Sequence, residues 1–134
     1  MPTKITLIGA GSVVFAKNLI SDILQFAELE DCHLCLMDID AARLKVAEAM
    51  ASRVVSKLGV AATVSATLDR TEAIRGAKYV ICTIQVGGYE PGTVIDFEIP
   101  KKYGLRQTIA DTLGGGGVFR ALRPIPQLID IAQD

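Results

Sequence analysis

Lys4-Ile5-Thr6-Leu7-Ile8-Gly9-Ala10-Gly11-Ser12-Val13-Val14 is a short, β-branched and apolar run that stops at a glycine turn. Runs of this kind read as strands. Beyond the turn, Phe15, Leu19, Ile20, Ile23, Leu24 and Ala27 recur at three- and four-residue spacing, which predicts a helix. In such a strand–turn–helix unit the first glycine permits the tight bend and the second lets the backbone approach a pyrophosphate. The helix N-terminus then offers free N–H groups and a partial positive charge. Gly9, Gly11, Ser12 and Val13 are therefore candidate cofactor-binding residues. Val14 stands where the pattern has a third glycine. That glycine serves close helix–strand packing, so its loss bears on packing more than on phosphate binding.

A second apolar run, His33 to Met37, ends at Asp38. A carboxylate at the end of the second strand can accept from both ribose hydroxyls of an adenosine, and it repels a 2′-phosphate. Asp38 is thus a fifth candidate, and NAD is expected over NADP, although Arg43 five residues on works against that discrimination. Asp38 lies 29 residues after Gly9, beyond the usual spacing of ~20. A long first helix and the polar Glu28–Asp31 turn account for the surplus. The competing use of Asp38 is to cap the next helix, a role that Asp40 fits better.

From Ala41 the helical period returns, with Leu44, Ala47, Ala51, Val54 and Leu58 on one face, Asp40 as its cap and Gly59 as its left-handed end. A weaker strand is predicted over Ala62–Ala66. A short helix follows over Asp69–Arg75, with Asp69 and Glu72 spaced as a variant capping box and Gly76 closing it. Lys78–Ile84 is the fourth and most apolar strand. Alternating elements of this kind give an α/β fold, a Rossmann-like doubly wound parallel sheet in three layers with right-handed crossovers. Thr83, Ile84, Gln85, Val86 and Gly87 then border the nicotinamide side of the crevice, which makes Gln85 and Gly87 candidates.

The second half is less regular. Gln85–Gly92 reads as a loop, and Thr93–Tyr103 as a helix that Pro100 interrupts or kinks. Gln107–Gly117 contains four consecutive glycines and is expected to be irregular. Val118–Asp134 opens another helical region, disturbed by Pro124 and Pro126. With no repeat and no linker, residues 1–134 are expected to form one nucleotide-binding domain.

Composition narrows the function classes. Half of the 134 residues are hydrophobic and 22% are charged, with 14 basic and 15 acidic side chains, so the formal net charge is −1. Such balance gives no electrostatic reason to expect nucleic acid or an anionic membrane as partner. No apolar run approaches the ~20 residues needed to span a bilayer, and the start lacks a secretory leader, so a cytoplasmic setting is expected. Cys32, Cys35 and Cys82 make an odd count that argues against a disulfide framework. Cys32 and Cys35 have CxxC spacing around His33, but no second ligand cluster exists, and plain packing is the expected role.

Taken together, Gly9-Ala10-Gly11-Ser12 with Phe15, Met37-Asp38-Ile39-Asp40, Gln85 to Glu98 and Gln107 to Pro126 resemble family 4 of the glycoside hydrolases, most of all its α-galactosidases of the melibiase type. The last segment is the most specific. The nucleotide-binding part alone is shared with lactate and malate dehydrogenases. The resemblance implies an NAD- and divalent-metal-dependent enzyme, commonly with manganese. It implies hydrolysis of α-galactosides by oxidation at C3, elimination, water addition and re-reduction. It places at Asp111 an acid that assists the leaving group, beside glycines that let a substrate approach. It also implies that the metal ligands and the C2 base lie beyond residue 134, so that residues 1–134 hold no metal ligand and the isolated chain is expected to bind NAD weakly and not to hydrolyse galactosides.

Other readings stay open on the residues themselves. Asp111 equally suits a turn. Arg120 and Arg123 can bind sugar hydroxyls, an anionic group or Asp111, or form a solvated helix face. A small hydroxy-acid dehydrogenase would need a catalytic histidine, and His33 sits in a strand. A stand-alone, non-catalytic dinucleotide-binding module is the main alternative. Apolar residues around Val118–Ile131 point to a homo-oligomer.

Overall fold

The computed structural model describes residues 2–107 and 114–134, and the chain divides into two compact units after Thr83. The first unit runs β1 (Lys4–Ile8), α1 (Val13–Ile23), β2 (His33–Met37), α2 (Ala41–Leu58), β3 (Thr63–Thr67), α3 (Arg70–Ile74) and β4 (Tyr79–Cys82). All neighbouring strands are parallel, in the order β3-β2-β1-β4. The register aligns Lys4 with His33, Ile5 with Tyr79 and His33 with Thr63. Right-handed crossovers carry α1 and α2 over one face and α3 over the other. In keeping with that, α1 packs on α2, and α3 packs on β1, β2 and β3.

The expected order of elements is thus present, and the core shows why. Ile5, Leu7, Leu34 and Leu36 are buried in one cluster with Ala16, Ile20 and Leu24, in and just after α1, and with Leu44, Ala47 and Ala51 of α2. Truncating a side chain as enclosed as Leu34 or Leu36 to alanine costs about 3 kcal/mol. Central strands covered on both faces read as continuous apolar runs, and β1 and β2 do. The fourth strand does not fit that reason. It is as apolar as β1, yet Tyr79 is 51% exposed and Val80 41%, because β4 lies at an end of the strand order.

Several local expectations need correction. The inner face of α1 is Ala16–Ile20–Leu24 and not the stripe through Phe15, which is exposed; Ala27 lies beyond the helix in a short 3-10 turn, Ala27–Leu29. Small Ala16 lets α1 sit close to the sheet, a role that a count of large apolar residues overlooks. Asp40 caps α2 as expected, accepting from the N–H groups of Ala42 and Arg43, and Gly59 ends it at φ 67°. Leu58, however, is largely exposed. Asp69 accepts from Glu72 N, but the capping box is not reciprocal. Glu72 accepts instead from the Thr67 hydroxyl at 2.6 Å, and that hydroxyl oxygen accepts from Asp69 N.

Cys32 and Cys35 are buried free thiols, and His33 bridges β2 to β3 through Thr63 Oγ1 and Ser65 Oγ at 2.8 and 3.0 Å. The CxxC-like spacing is therefore occupied by packing. Burial, reinforced by the charge of Asp31 and opposed by a weaker backbone hydrogen bond, pushes the Cys32 thiol up from its ordinary value.

In the second unit Gly88–Thr93 forms a wide helical turn, interrupted at Glu90, where a loop was expected. It leads into α4 (Val94–Lys102), followed by α5 (Gly114–Leu122) and α6 (Pro124–Gln133). Pro100, expected to interrupt or kink α4, does not end it, since the helix continues to Lys102. The four glycines, expected to be irregular, fall in α5, although Gly114 opens it at φ 83°, outside helical geometry.

One contact explains both. Proline has no N–H to give the Asp96 carbonyl four residues earlier. Gly116 packs on that carbonyl so closely that a Cβ would overlap its oxygen. Close helix approach, which needs glycine, outweighs the poor helix propensity of glycine. Pro124 and Pro126 sit in the first turn of α6, where their missing N–H groups cost nothing, so they start a helix more than they disturb one.

Candidate functional site

The turn after β1 is fixed from both neighbouring strands. Gly9 bends at φ 84°, and the N–H groups of Gly9 and Ala10 both donate to Met37 O, at 2.9 and 3.0 Å. Ser12 N donates to Gly9 O at 3.1 Å and closes the turn; Ala16 N then donates to Ser12 O and starts α1. Among the described residues no side chain caps α1, and Ser12 itself makes no cap bond. The opening N–H groups of the helix, Val13 among them, are thus left for an anion.

Asp38 stands directly against this turn. Its Oδ2 accepts from Gly11 N at 2.7 Å, and its Oδ1 accepts from Asp40 N at 2.9 Å. Gly11 has a second reason to be glycine besides pyrophosphate access. A Cβ there would lie 2.6 Å from Asp38 Oδ2 and 2.9 Å from Arg43 Cβ. Each carboxylate oxygen can accept more than one hydrogen bond. Asp38, only half-buried, therefore keeps acceptor capacity toward solvent while both its oxygens stay oriented by backbone. The structure places Gly9, Gly11, Ser12, Val13 and Asp38 together, where the strand order reverses between β1 and β4. That reversal is where ligands enter open α/β sheets. Arg43, five residues past Asp38, is turned toward Asp40 at 3.6 Å.

The β4 side contributes a residue that sequence reasoning named only as a neighbour. Thr83 N donates to Ile8 O at 2.8 Å, and Thr83 Oγ1 donates to Gly9 O at 3.1 Å. No local spacing reveals a bond across 74 residues.

In the second unit, Gln85 is occupied by its own loop, donating from Nε2 to Gly88 O at 3.0 Å and to Thr93 Oγ1 at 2.7 Å. Gly87, at φ 91°, leaves room for the Arg123 side chain, whose Nε would lie 3.4 Å from a Cβ at that position. Arg123 donates to Oδ2 of Asp96, which is 2% exposed, and Arg120 donates to Thr93 Oγ1 at 3.3 Å. The arginines therefore brace α4 and the Gly88–Thr93 turn. Asp96 is a structural partner that sequence reasoning could not pair, and its one sequence signal is an acid inside the apolar run Val94-Ile95-Asp96-Phe97. Asp96 Oδ1 and Arg123 Nε have no partner among the described residues. Asp111 lies outside the described residues.

A dinucleotide fits the first unit, which offers a backbone approach at Gly11, an uncapped helix of 11 residues and an oriented acid. A divalent metal does not fit the described residues, among which no three His, Cys, Asp or Glu side chains converge. Nor, among them, is any helix long and apolar enough to cross a membrane.

The sheet order and the glycine turn define a Rossmann-like α/β protein of the dinucleotide-binding class. Over residues 4–134 the chain matches the model of the family 4 glycosyl hydrolases, and it belongs to that family. It is 53% identical over 131 residues to an alpha-galactosidase of Bacillus subtilis, covering 98% of this chain and 30% of that protein. It is 40% identical over 134 residues to an alpha-glucosidase of Erwinia rhapontici, again covering 30% of the relative. Among solved structures, it superimposes with a TM-score of 0.84 on the 6-phospho-beta glucosidase of Thermotoga maritima with manganese, NAD+ and glucose-6-phosphate. That match has 30% identity and covers 98% of this chain and 31% of that one. The chain thus spans about 30% of the length of the relatives it matches.

Proposed function

We propose that this chain supplies the NAD-binding part of an NAD- and divalent-metal-dependent α-galactosidase. The observation that carries the cofactor half is the contact between Asp38 and the glycine turn. It brings a ribose acceptor to the same few ångströms as the phosphate-binding helix end. In this reading the N–H groups at Ser12 and Val13 receive the pyrophosphate, and Gly9 and Gly11 leave room for it. Asp38 accepts from the adenosine ribose and repels a 2′-phosphate. Gln85 and Gly87 border the nicotinamide side, with Gln85 holding the shape of its loop. Asp111 is the acid that assists the leaving group.

NAD, when bound, supplies hydride abstraction from the sugar and its return. The described residues bring no set of metal ligands together. The α-galactoside preference is supported by the 53% identity to the Bacillus subtilis protein. The α-glucosidase relative stands lower, at 40% identity over 134 residues. Three free cysteines suit a reducing, cytoplasmic setting. The exposed Val118, Phe119, Leu122, Ile125, Leu128 and Ile129 support a homo-oligomer.

Calorimetric titration of the chain with NAD and NADP tests the cofactor half. NAD should bind at least tenfold more tightly than NADP, a preference of about 1.4 kcal/mol. Absence of NAD binding removes the reading, and equal affinity for the two removes the role of Asp38.

A further inference from the structure

We infer that Thr83 is a positioning residue for the dinucleotide turn, its hydroxyl fixing the Gly9–Ala10 peptide from the β4 side; the inference rests on the NAD-binding reading above. Gly9 adopts φ 84°, a conformation open to glycine because it has no Cβ. That freedom also leaves the following peptide soft, so its orientation depends on what holds each side. The N–H side is held by β2, through Ala10 N to Met37 O at 3.0 Å. The carbonyl side is held by two donors at 3.1 Å, the local Ser12 N and the distant Thr83 Oγ1.

A threonine hydroxyl has one proton. Here it is shared between Gly9 O and Ile8 O, the latter at 3.3 Å, and is committed to backbone. Thr83 N extends the pairing of β4 with β1 through Ile8 O at 2.8 Å. The hydroxyl is therefore anchored on the strand beside the one it braces, at the reversal of strand order. A turn held this way presents its N–H groups without rearrangement, which improves affinity by lowering the ordering cost of binding. Valine in place of Thr83 keeps the shape and loses the proton. Serine keeps the proton and loses the methyl group.

The test compares the chain with its Thr83→Val, Thr83→Ala and Thr83→Ser variants. NAD, ADP and adenosine affinities are measured by calorimetry, and amide exchange of residues 9–12 by NMR without ligand. Loss of one net hydrogen bond in the turn is expected to weaken NAD and ADP about tenfold in Thr83→Val, and adenosine, which has no phosphate, by less than about twofold. Amide exchange at Ala10 and Ser12 should speed up in Thr83→Val, and Thr83→Ser should behave as the parent. Unchanged NAD affinity in Thr83→Val overturns the inference, and so does an equal loss in Thr83→Ser, which would assign the effect to the methyl group. Thr83→Ala takes the place of Thr83→Val if the latter does not fold. If the parent chain binds no NAD, the cofactor reading fails on its own, and exchange alone judges the clamp. Unchanged exchange in the hydroxyl-deletion variants then overturns it.

Discussion

Gly11 and Asp38 are one feature seen from two strands. The 2.7 Å bond from Gly11 N to Asp38 exists because no Cβ intervenes. A methyl group at position 11 would meet both the Asp38 carboxylate and Arg43 Cβ, and a Cβ, bonded directly to its backbone, cannot swing away. Gly11→Ala is therefore expected to cost about 1–3 kcal/mol in urea unfolding and to displace Asp38, so that NAD binding is lost in the same protein. Asp38→Asn separates the two effects. Asparagine has one acceptor oxygen for two backbone donors, Gly11 N and Asp40 N, and its amide must face one of them. A smaller loss of about 1–2 kcal/mol should follow, with NAD weakened more than adenine alone. Equal NAD affinity in Asp38→Asn would count against the ribose contact.

These residues were legible because the glycine turn and the acid after the second strand follow from local chain chemistry. Thr83 was not, since its bond to Gly9 spans 74 positions. Cys32 offers a pH test at the same scale. Its thiol is raised by burial, so the folded protein favours the protonated form. The contribution is present in full below the ordinary thiol range and is lost as pH climbs through it toward the raised value. Unfolding free energy should fall as pH rises through the ordinary thiol range, and Cys32→Ala should flatten that fall.

At the scale of elements, the glycine-rich helix α5 carries the lesson. Propensity alone makes Gly114–Gly117 the least helical stretch of the chain, and the expectation of irregular structure followed from it. The outcome was decided by the close approach of Gly116 to the Asp96 carbonyl, to which Pro100 has no N–H to give, and that approach is not visible until two segments meet. The same packing separates neighbouring glycines sharply. A Cβ at Gly115 meets nothing within 4 Å, whereas one at Gly116 overlaps the Asp96 carbonyl oxygen. Gly115→Ala should stabilise the second unit by about 0.5–1 kcal/mol, by removing backbone freedom from the unfolded chain. Gly116→Ala gains the same term but must open the α4–α5 contact, a cost of about 1–3 kcal/mol or more. Helical circular dichroism followed through urea unfolding should move in opposite directions for the two variants. Movement in the same direction would mean that the helices are not in the contact described.

The whole chain has two units of different kinds, and its chemistry must be divided accordingly. The first, through Thr83, contains the glycine turn braced from β2 and β4, the part to which NAD binding is proposed. The second supplies Asp96, Arg120 and Arg123, which brace it through the Arg123–Asp96 pair and the Arg120–Thr93 bond, while Asp96 Oδ1 and Arg123 Nε have no partner among the described residues. The described residues bring no metal-ligating cluster together, and the chain matches about 30% of its relatives' length. Elimination at a sugar carbon, as proposed above, needs a base and a stabilised enolate as well as a hydride acceptor, and the described residues present no metal-ligating set to stabilise the enolate. With NAD and manganese present, the 134-residue chain is therefore expected to gain thermal stability from NAD by mass action, rising with its concentration. It should gain none from manganese and release no nitrophenol from an aryl α-galactoside. Turnover by this chain would show that a complete catalytic set is folded within it. A manganese-dependent rise in melting temperature would show that metal ligands are held within this chain.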